Sequence, residues 1–417
     1  MRSHYKRIGD YVTQIKLKNI DDSISDLKGI NINKHFMPSV ANINGTDLSK
    51  YRVVKKNQFA FNPMHVGRDE VLPISMLEDD EPIIVSPAYV VFEVKDEEEL
   101  LPAYLMMWCR RSEFDRNAWF MTDNSVRGGF SWADFCDMEL PIPSIEKQRE
   151  IVREYNVVND RISLNEQLTQ KLEESAQATY KQWFVDFEFP ISKEYAQSIG
   201  KPELEGKPYK SSGGEMVFCD EIDQDIPVVS KIRNLGGLIE SLSKTHDFKK
   251  EQLIFFNTSD ILAGKFLHSD YRPVIGMPGQ AKKSIQKGDI LFSEIRPANK
   301  RFALVRWDSE DYVVSTKLMV IRPKTQEFSN LRFYHYLTLP ETLRDFQQSA
   351  EGRSGTFPQI TFDVDIEERK LVTLPEGVEV KWQMFLTNYY AYLFALMDEI
   401  ELLKDMTTVV ELKLSKL

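Results

Sequence analysis

The stretch SIEKQREIVREYNVVNDRISLNEQLTQKLEESAQATYKQW, residues 144–183, decides the fold. From Ile151, steps of four and three run through Ile151, Tyr155, Val158, Ile162, Asn165, Thr169, Leu172, Ala176, Thr179 and Trp183. This is a heptad seam about five repeats long, and it predicts a helix of ~35–40 residues, roughly 50–60 Å at 1.5 Å per residue. Adding 231 to each position gives Trp382, Leu386, Tyr389, Leu393, Leu396, Ile400, Leu403, Thr407, Val410 and Leu414, a second and more apolar seam. Neither stripe can bury itself, so the two helices are expected to pack antiparallel about an approximate twofold axis. The polar seam residues Asn165 and Thr169 suit register rather than chemistry. Pro141-Ile142-Pro143 ends a strand, Ser144 is placed to cap the first helix and Glu146 to favour its positive end, and Leu374-Pro375-Glu376-Gly377 stands at the same point of the second half.

The same offset links the blocks before the helices. Lys50–Phe61 answers to Ala281–Phe292, each a turn leading into a strand. The apolar runs Ile83–Val94 and Tyr312–Arg322 read as strands, and Leu100–Arg111 and Asn330–Arg344 as short helices. Each half then carries a glycine-containing loop, Ser125–Phe130 and Arg353–Phe357, and a last strand ending in proline. Residues 188–214, with Pro190, Gly200, Pro202, Gly206, Pro208, Gly213 and Gly214 among charges, read as connector rather than core. The expected fold class is α+β, mixed: two β-rich domains, 1–143 and 215–375, separated by two long antiparallel coiled-coil helices, 144–187 and 376–417, with a pseudo-twofold internal repeat.

A chain of 417 residues with 42% hydrophobic and 28% charged residues can bury two or three cores, and nothing in it is low-complexity. Three cysteines without C-x-x-C spacing give neither a disulfide framework nor a zinc site, and fit a reducing cytoplasm. Met1–Arg7 has no apolar signal core, and the longest apolar run falls far short of the ~20 residues of a membrane span. The net charge of −11 argues against nucleic acid unless positive charge is local or is shared with a partner.

Catalytic motifs are missing. The sequence has no G-x-G-x-x-G, P-loop or H-E-x-x-H pattern, and its six histidines are scattered. Asn62-Pro63-Met64-His65 faintly resembles an amino-methyltransferase motif but lacks the aromatic that would stack on a target base, and Asp405, Glu411 and Lys413 sit on a heptad helix, where a solvated face explains them. The positive signal is local charge. Residues 50–68 hold Lys50, Arg52, Lys55, Lys56 and Arg68 with no acid, and residues 281–301 hold Lys282, Lys283, Lys287, Arg296, Lys300 and Arg301 against Asp289 and Glu294. Each segment is either a solvated turn or a loop facing DNA, its cations on phosphates and its Asn and Arg on base edges. The loops around Arg127 and Arg353-Ser354-Gly355-Thr356 suit the same role, as they do an ordinary turn. Candidate DNA-binding residues are therefore Lys55, Lys56, Asn62, His65, Arg68, Arg127, Lys282, Lys283, Arg296, Asn299, Lys300, Arg301, Lys317, Arg353, Ser354 and Thr356. Asn257-Thr258-Ser259-Asp260 fits a contact loop or a helix cap, and Trp108, Trp119, Phe130 and Trp132 fit core better than base stacking.

This order of parts, with Leu140–Ile151, Lys181–Phe187, Ser212–Val217, Lys287–Phe292 and Ser315–Val320, resembles the specificity subunit of type I restriction-modification enzymes over essentially the whole chain. The resemblance implies two target recognition domains, each reading one half of a bipartite double-stranded DNA site, and helices that space them and dock two methyltransferase subunits. Up to two restriction subunits would join where the system has them. It implies no catalysis, metal or cofactor in this chain, with S-adenosylmethionine used by the assembled complex, and ATP and Mg2+ where a restriction subunit joins, in a bacterial or archaeal cytoplasm. The tyrosine-rich opening of the second helix, Trp382, Tyr389, Tyr390 and Tyr392, departs from the Glu-Lys-Gln-Arg opening of the first and puts equal partner contacts in doubt. Two other readings stay open here: an enzyme acting alone on DNA, and a coiled-coil scaffold that reads no sequence.

Overall fold

The computed structural model describes residues 5–39, 46–64, 66–122, 129–308 and 310–414. The chain forms two compact units, Met1–Gln167 with Met397–Leu417, and Leu168–Leu396. The helices are thus not a unit of their own; each contributes one part to each body.

In the first unit a four-stranded antiparallel sheet runs in the order Val12–Ile15, Val90–Val94, Phe59–Phe61, Ile74–Met76. Strands Arg52–Val54 and Ile83–Val85 pair beside it, and Tyr5–Arg7 pairs with Glu139–Pro141. The alternation of Phe59, Phe61 and Phe92 puts three rings on one face, where Phe59 and Phe92 stack at 4.8 Å and helices Pro102–Cys109, Ser112–Phe120 and Trp132–Asp137 close over them. Burying each such ring contributes about 1.5–3 kcal/mol. Ile151, Tyr155 and Val410 join this core from the two long helices.

The second unit repeats the plan. Its sheet order is Ile239–Leu242, Leu318–Pro323, Ile290–Ser293, Phe302–Leu304, and Lys231–Asn234 pairs with Lys370–Thr373 as the end strands do in the first unit. A further sheet, Tyr271–Pro273, Gln252–Phe256, Tyr312–Ser315, Ala281–Ser284, holds the one parallel pair among these strands, Phe255 opposite Val313. In both units a single 3-10 turn after the strand of this end pair, Tyr5–Arg7 or Lys231–Asn234, packs backbone to backbone, Ile8 donating to Met138 O at 2.8 Å and Leu235 to Arg369 O at 2.8 Å. Gly9 and Gly236 make that approach feasible: a Cβ on Gly9 would lie 2.7 Å from Cys136 Cβ and 3.0 Å from its carbonyl oxygen, and one on Gly236 would overlap Glu367 Cγ.

The long helices span Ile145–Tyr180, followed by a π turn at Lys181–Val185, and Glu376–Leu414. Every seam position with a described side chain is buried or half-buried. In the first unit Glu154 meets Lys413 at 2.7 Å and Glu166 meets Lys404 at 3.7 Å, so the helices run antiparallel. In the second unit Tyr180, Trp183 and Phe184 all ring Trp382 at 5.3–6.1 Å.

Three sequence expectations change. The run 83–94 is two strands in different sheets, broken at the turn where Tyr89 donates to Ser86 O, and 312–322 divides at Thr316–Lys317 in the same way. Pro340 divides the expected helix 330–344 into Asn330–Thr338 and Pro340–Arg353. The connector has a small core after all, in which Phe189 stacks on Tyr209 at 4.8 Å and Tyr209 donates to Glu215 O at 2.9 Å; its scattered aromatics, not its prolines and glycines, decide the matter.

Candidate nucleic-acid interface

Strand order settles where the candidate residues go. Turn 286–289, with Lys287, precedes strand Ile290–Ser293, whereas Arg296, Asn299 and Lys300 follow it. A four-residue strand spans ~13 Å, so what reads as one basic segment becomes two groups at opposite strand ends. In the first unit Lys55 and Lys56 likewise lie before strand Phe59–Phe61 and Asn62 after it.

The turns before the strands are built for stability. In the second unit Gly288 takes φ +92°, and the Asp289 carboxylate accepts from Gln286 N–H at 2.8 Å and from the Arg322 guanidinium at 2.7 and 2.9 Å. In the first, Asn57 takes φ +62°, and Gln58 accepts from Lys55 N–H at 2.8 Å and donates to Glu93 at 2.8 Å. One brace is thus made with opposite chemistry. The cations nearby are also locally answered: Lys56 meets Asp80 at 2.6 Å and Lys50 meets Asp47 at 3.3 Å. Lys282 is exposed at a strand irregularity, but Lys283 is buried and donates to Leu318 O at 2.9 Å, its ammonium pushed below the usual lysine range chiefly by burial. Lys283 therefore serves the sheet rather than a solvent-facing loop.

The turns after the strands are different. Arg296 and Lys300 flank a single 3-10 turn, Pro297–Asn299, and both have left-handed backbones, φ +46° and +54°. Arg296 N–H donates to Pro358 O at 3.1 Å and Ile360 N–H to Glu294 O at 2.9 Å, so loop 353–360 is drawn beside it. Glu294 is the hub of this junction, held by Lys317 at 3.2 Å and by Gln359 at 2.8 Å. The side chains of Arg296, Asn299 and Lys300 are exposed. Arg301 instead donates to Ser259 O and Ile261 O at 3.0 Å, as a clamp. Arg353 pairs with Asp365 and donates to Ser349 O at 3.2 Å, Ser354 Oγ accepts from Phe357 N–H at 3.1 Å, and Thr356 and Phe357 face solvent. Asn257 and Asp260 form a capping box, so that loop is a cap.

The first unit has the same junction in reduced form. Asn62 Oδ1 accepts from Met64 N–H at 3.0 Å, and Phe130 N–H donates to Pro63 O at 3.0 Å, bringing the two expected loops together. His65, the Arg68 side chain and Arg127 lie outside the described residues. Trp108 and Phe130 are core and Trp132 is half-buried, but Trp119 is 44% and Phe120 84% exposed on helix Ser112–Phe120, which the expectation of core for Trp119 missed. Arg344 and Gln348, which carry no motif, stand beside the 297–299 turn and are found only once the chain is folded. Among the described residues no group of three His, Cys, Asp or Glu could hold a metal ion, and no helix is long and apolar enough to cross a membrane.

Comparison with known proteins points one way. The type I restriction modification DNA specificity domain matches residues 227–402. Over 131 residues, 31% of the chain, it is 48% identical to the type I restriction enzyme HindI specificity subunit of Haemophilus influenzae, of which the match takes in 28%. Over 275 residues, 64% of the chain, it is 21% identical to the type I restriction enzyme MjaIX specificity subunit of Methanocaldococcus jannaschii, of which the match takes in 57%. The matches thus span under two thirds of either relative. The crystal structure of the type I restriction-modification S subunit from M. genitalium has the same fold, with a TM-score of 0.59 at 13% identity over 98% of this chain and 95% of that one.

Proposed function

We propose that this chain belongs to the family of type I restriction-modification specificity subunits, as the matches to residues 227–402 and to the HindI subunit support, that it reads a two-part sequence in double-stranded DNA, one part with each β-rich domain, and that it carries out no chemistry itself. The observation that carries this reading is the duplicated junction. Each domain ends a core strand in a turn drawn against a second loop, Pro63 with Phe130 and Arg296 with Pro358. Two like surfaces on one chain suit a site in two blocks, and exposed Arg and Asn side chains on braced turns suit base edges.

Methyl transfer belongs in this proposal to two methyltransferase subunits that dock on the long helices, and S-adenosylmethionine to those subunits. ATP and Mg2+ enter only where a restriction subunit joins. Partner subunits also supply positive charge that a chain of net −11 lacks. The test is to co-express the chain with the methyltransferase subunit encoded with it and map adenine methylation across the host genome. A new motif of two short blocks with a fixed gap is expected. A stable complex that writes no motif would favour a scaffold that reads nothing, and methylation by the chain alone would return it to the enzymes.

A further inference from the structure

Beside the Pro297–Asn299 turn of the second unit lies a cleft of about 330 Å³ that the sequence does not announce. Its floor is apolar, made by Ala298, Pro340 and Leu343, and its rim is polar, made by Lys300, Arg344, Gln347 and Gln348. Arg344, Gln347 and Gln348 stand at i, i+3 and i+4 of helix Pro340–Arg353 and so share a face.

These side chains have unequal freedom. Gln347 is committed: its Oε1 accepts from Ala298 N–H at 3.0 Å and its Nε2 donates to Glu351 at 2.7 Å, which fastens the turn to the helix. Gln348 and Asn299 are exposed, and among the described residues neither side-chain amide has a partner. Arg344 is exposed and meets Glu341 at 3.4 Å, a surface pair that a phosphate could displace at little cost. The turn is held from three sides, by Gln347, by Arg296 N–H on Pro358 O at 3.1 Å, and by Ala263 N–H on Lys300 O at 2.7 Å. Two non-glycine residues with positive φ, Arg296 and Lys300, persist only where surroundings over-determine them, and such backbones gather at binding sites. The turn is therefore set before any ligand arrives, which removes an ordering cost from binding.

An amide that offers one donor and one acceptor along a single edge matches N6 and N7 of adenine, and an apolar surface beside it matches the methyl group of the paired thymine. We propose that this turn and cleft are the base-reading surface of the second domain. Asn299 and Gln348 address adenine, Ala298 and Pro340 take a thymine methyl, and Lys300 and Arg344 hold the flanking phosphates. The assignment rests on the DNA-reading function above and adds Arg344 and Gln348 to it.

The test uses the complex with its methyltransferase subunit and compares wild type with Asn299→Ala, Gln348→Ala and, as a control at the far end of the strand, Lys287→Ala. Losing a bidentate contact should lower discrimination at one position of one motif half by about 5- to 150-fold, with the other half unchanged and the control silent. Copurification and an unchanged melting temperature certify assembly. Should the Asn299 variant fail to assemble, Gln348→Ala, on an exposed helix face, carries the test alone. Assembled variants that keep the wild-type motif would overturn this assignment and leave the two-part reading standing, whereas a wild-type complex that writes no two-part motif would overturn both.

Discussion

Gly9 and Gly236 hold the same place in the two halves, and neither has room for a methyl group. Alanine at either should destabilise the chain by about 1–3 kcal/mol, as overpacking does, and Gly9 should suffer more because its Cβ would meet the backbone of Cys136. Urea unfolding monitored by circular dichroism checks this. Asp289 is fully buried against Arg322, and Asp289→Ala should cost about 3 kcal/mol, the low end for a broken buried pair, since 31% of the Arg322 side chain stays exposed. The corresponding Gln58→Ala should cost less, because it removes a neutral amide and leaves the Glu93 carboxylate only half-buried, within reach of water. His335 lies among Trp382, Tyr389 and Tyr390, and its imidazole is pushed down to about 3, first by burial and then by the Arg332 charge. The folded chain keeps it neutral while the unfolded chain takes up a proton below ~6.5. Stability should therefore fall as pH drops from about 6.5 toward 3, and His335→Phe should flatten that slope in denaturant midpoints measured across the range. None of this was legible beforehand. The sequence offers Lys56 or Lys283 as a positive charge and is silent on Asp80 or the Leu318 carbonyl, the partners that decide what each lysine does.

At the scale of elements, periodicity proves far more informative than charge. The seam residues from Ile151 to Trp183 and from Trp382 to Val410 are buried or half-buried as the four-three spacing requires, because burial on a long helix depends on one number, its pitch. Strand breaks are less visible: Ile83–Val85 and Val91–Phe92 are equally apolar because each is buried in its own sheet, and only the short exposed Pro87-Ala88 between them marks the change. The 188–214 module escapes notice because its aromatics are spaced by no repeat. Asn165 is 1% exposed at its seam position, and Asn165→Leu should stabilise the helix pair by roughly 1 kcal/mol while loosening its register. A higher midpoint in guanidinium with weaker assembly onto the proposed methyltransferase partner is the expected pair of results, and a lower midpoint would mean that the Asn amide is well satisfied.

For the whole molecule, the proposed function makes a metrical claim. Inserting one heptad into each long helix adds about 10 Å of helix, or about three base pairs at 3.4 Å, and methylation mapping should find the same two blocks with a wider gap. On the same proposal, exchanging residues 1–143 for those of a known specificity subunit should rewrite one block only. The division into bodies has a different consequence. The second unit is one unbroken stretch of chain, while the first needs Met397–Leu417, including Val410, to complete a core that otherwise ends at Gln167. On the ribosome, at ~5–20 residues per second, the first domain would wait roughly 10–50 s for that last segment. The domain that is synthesised first is thus the one finished last, and until then the Ile151, Tyr155 and Val158 stripe stays open to whatever helix a neighbouring chain presents.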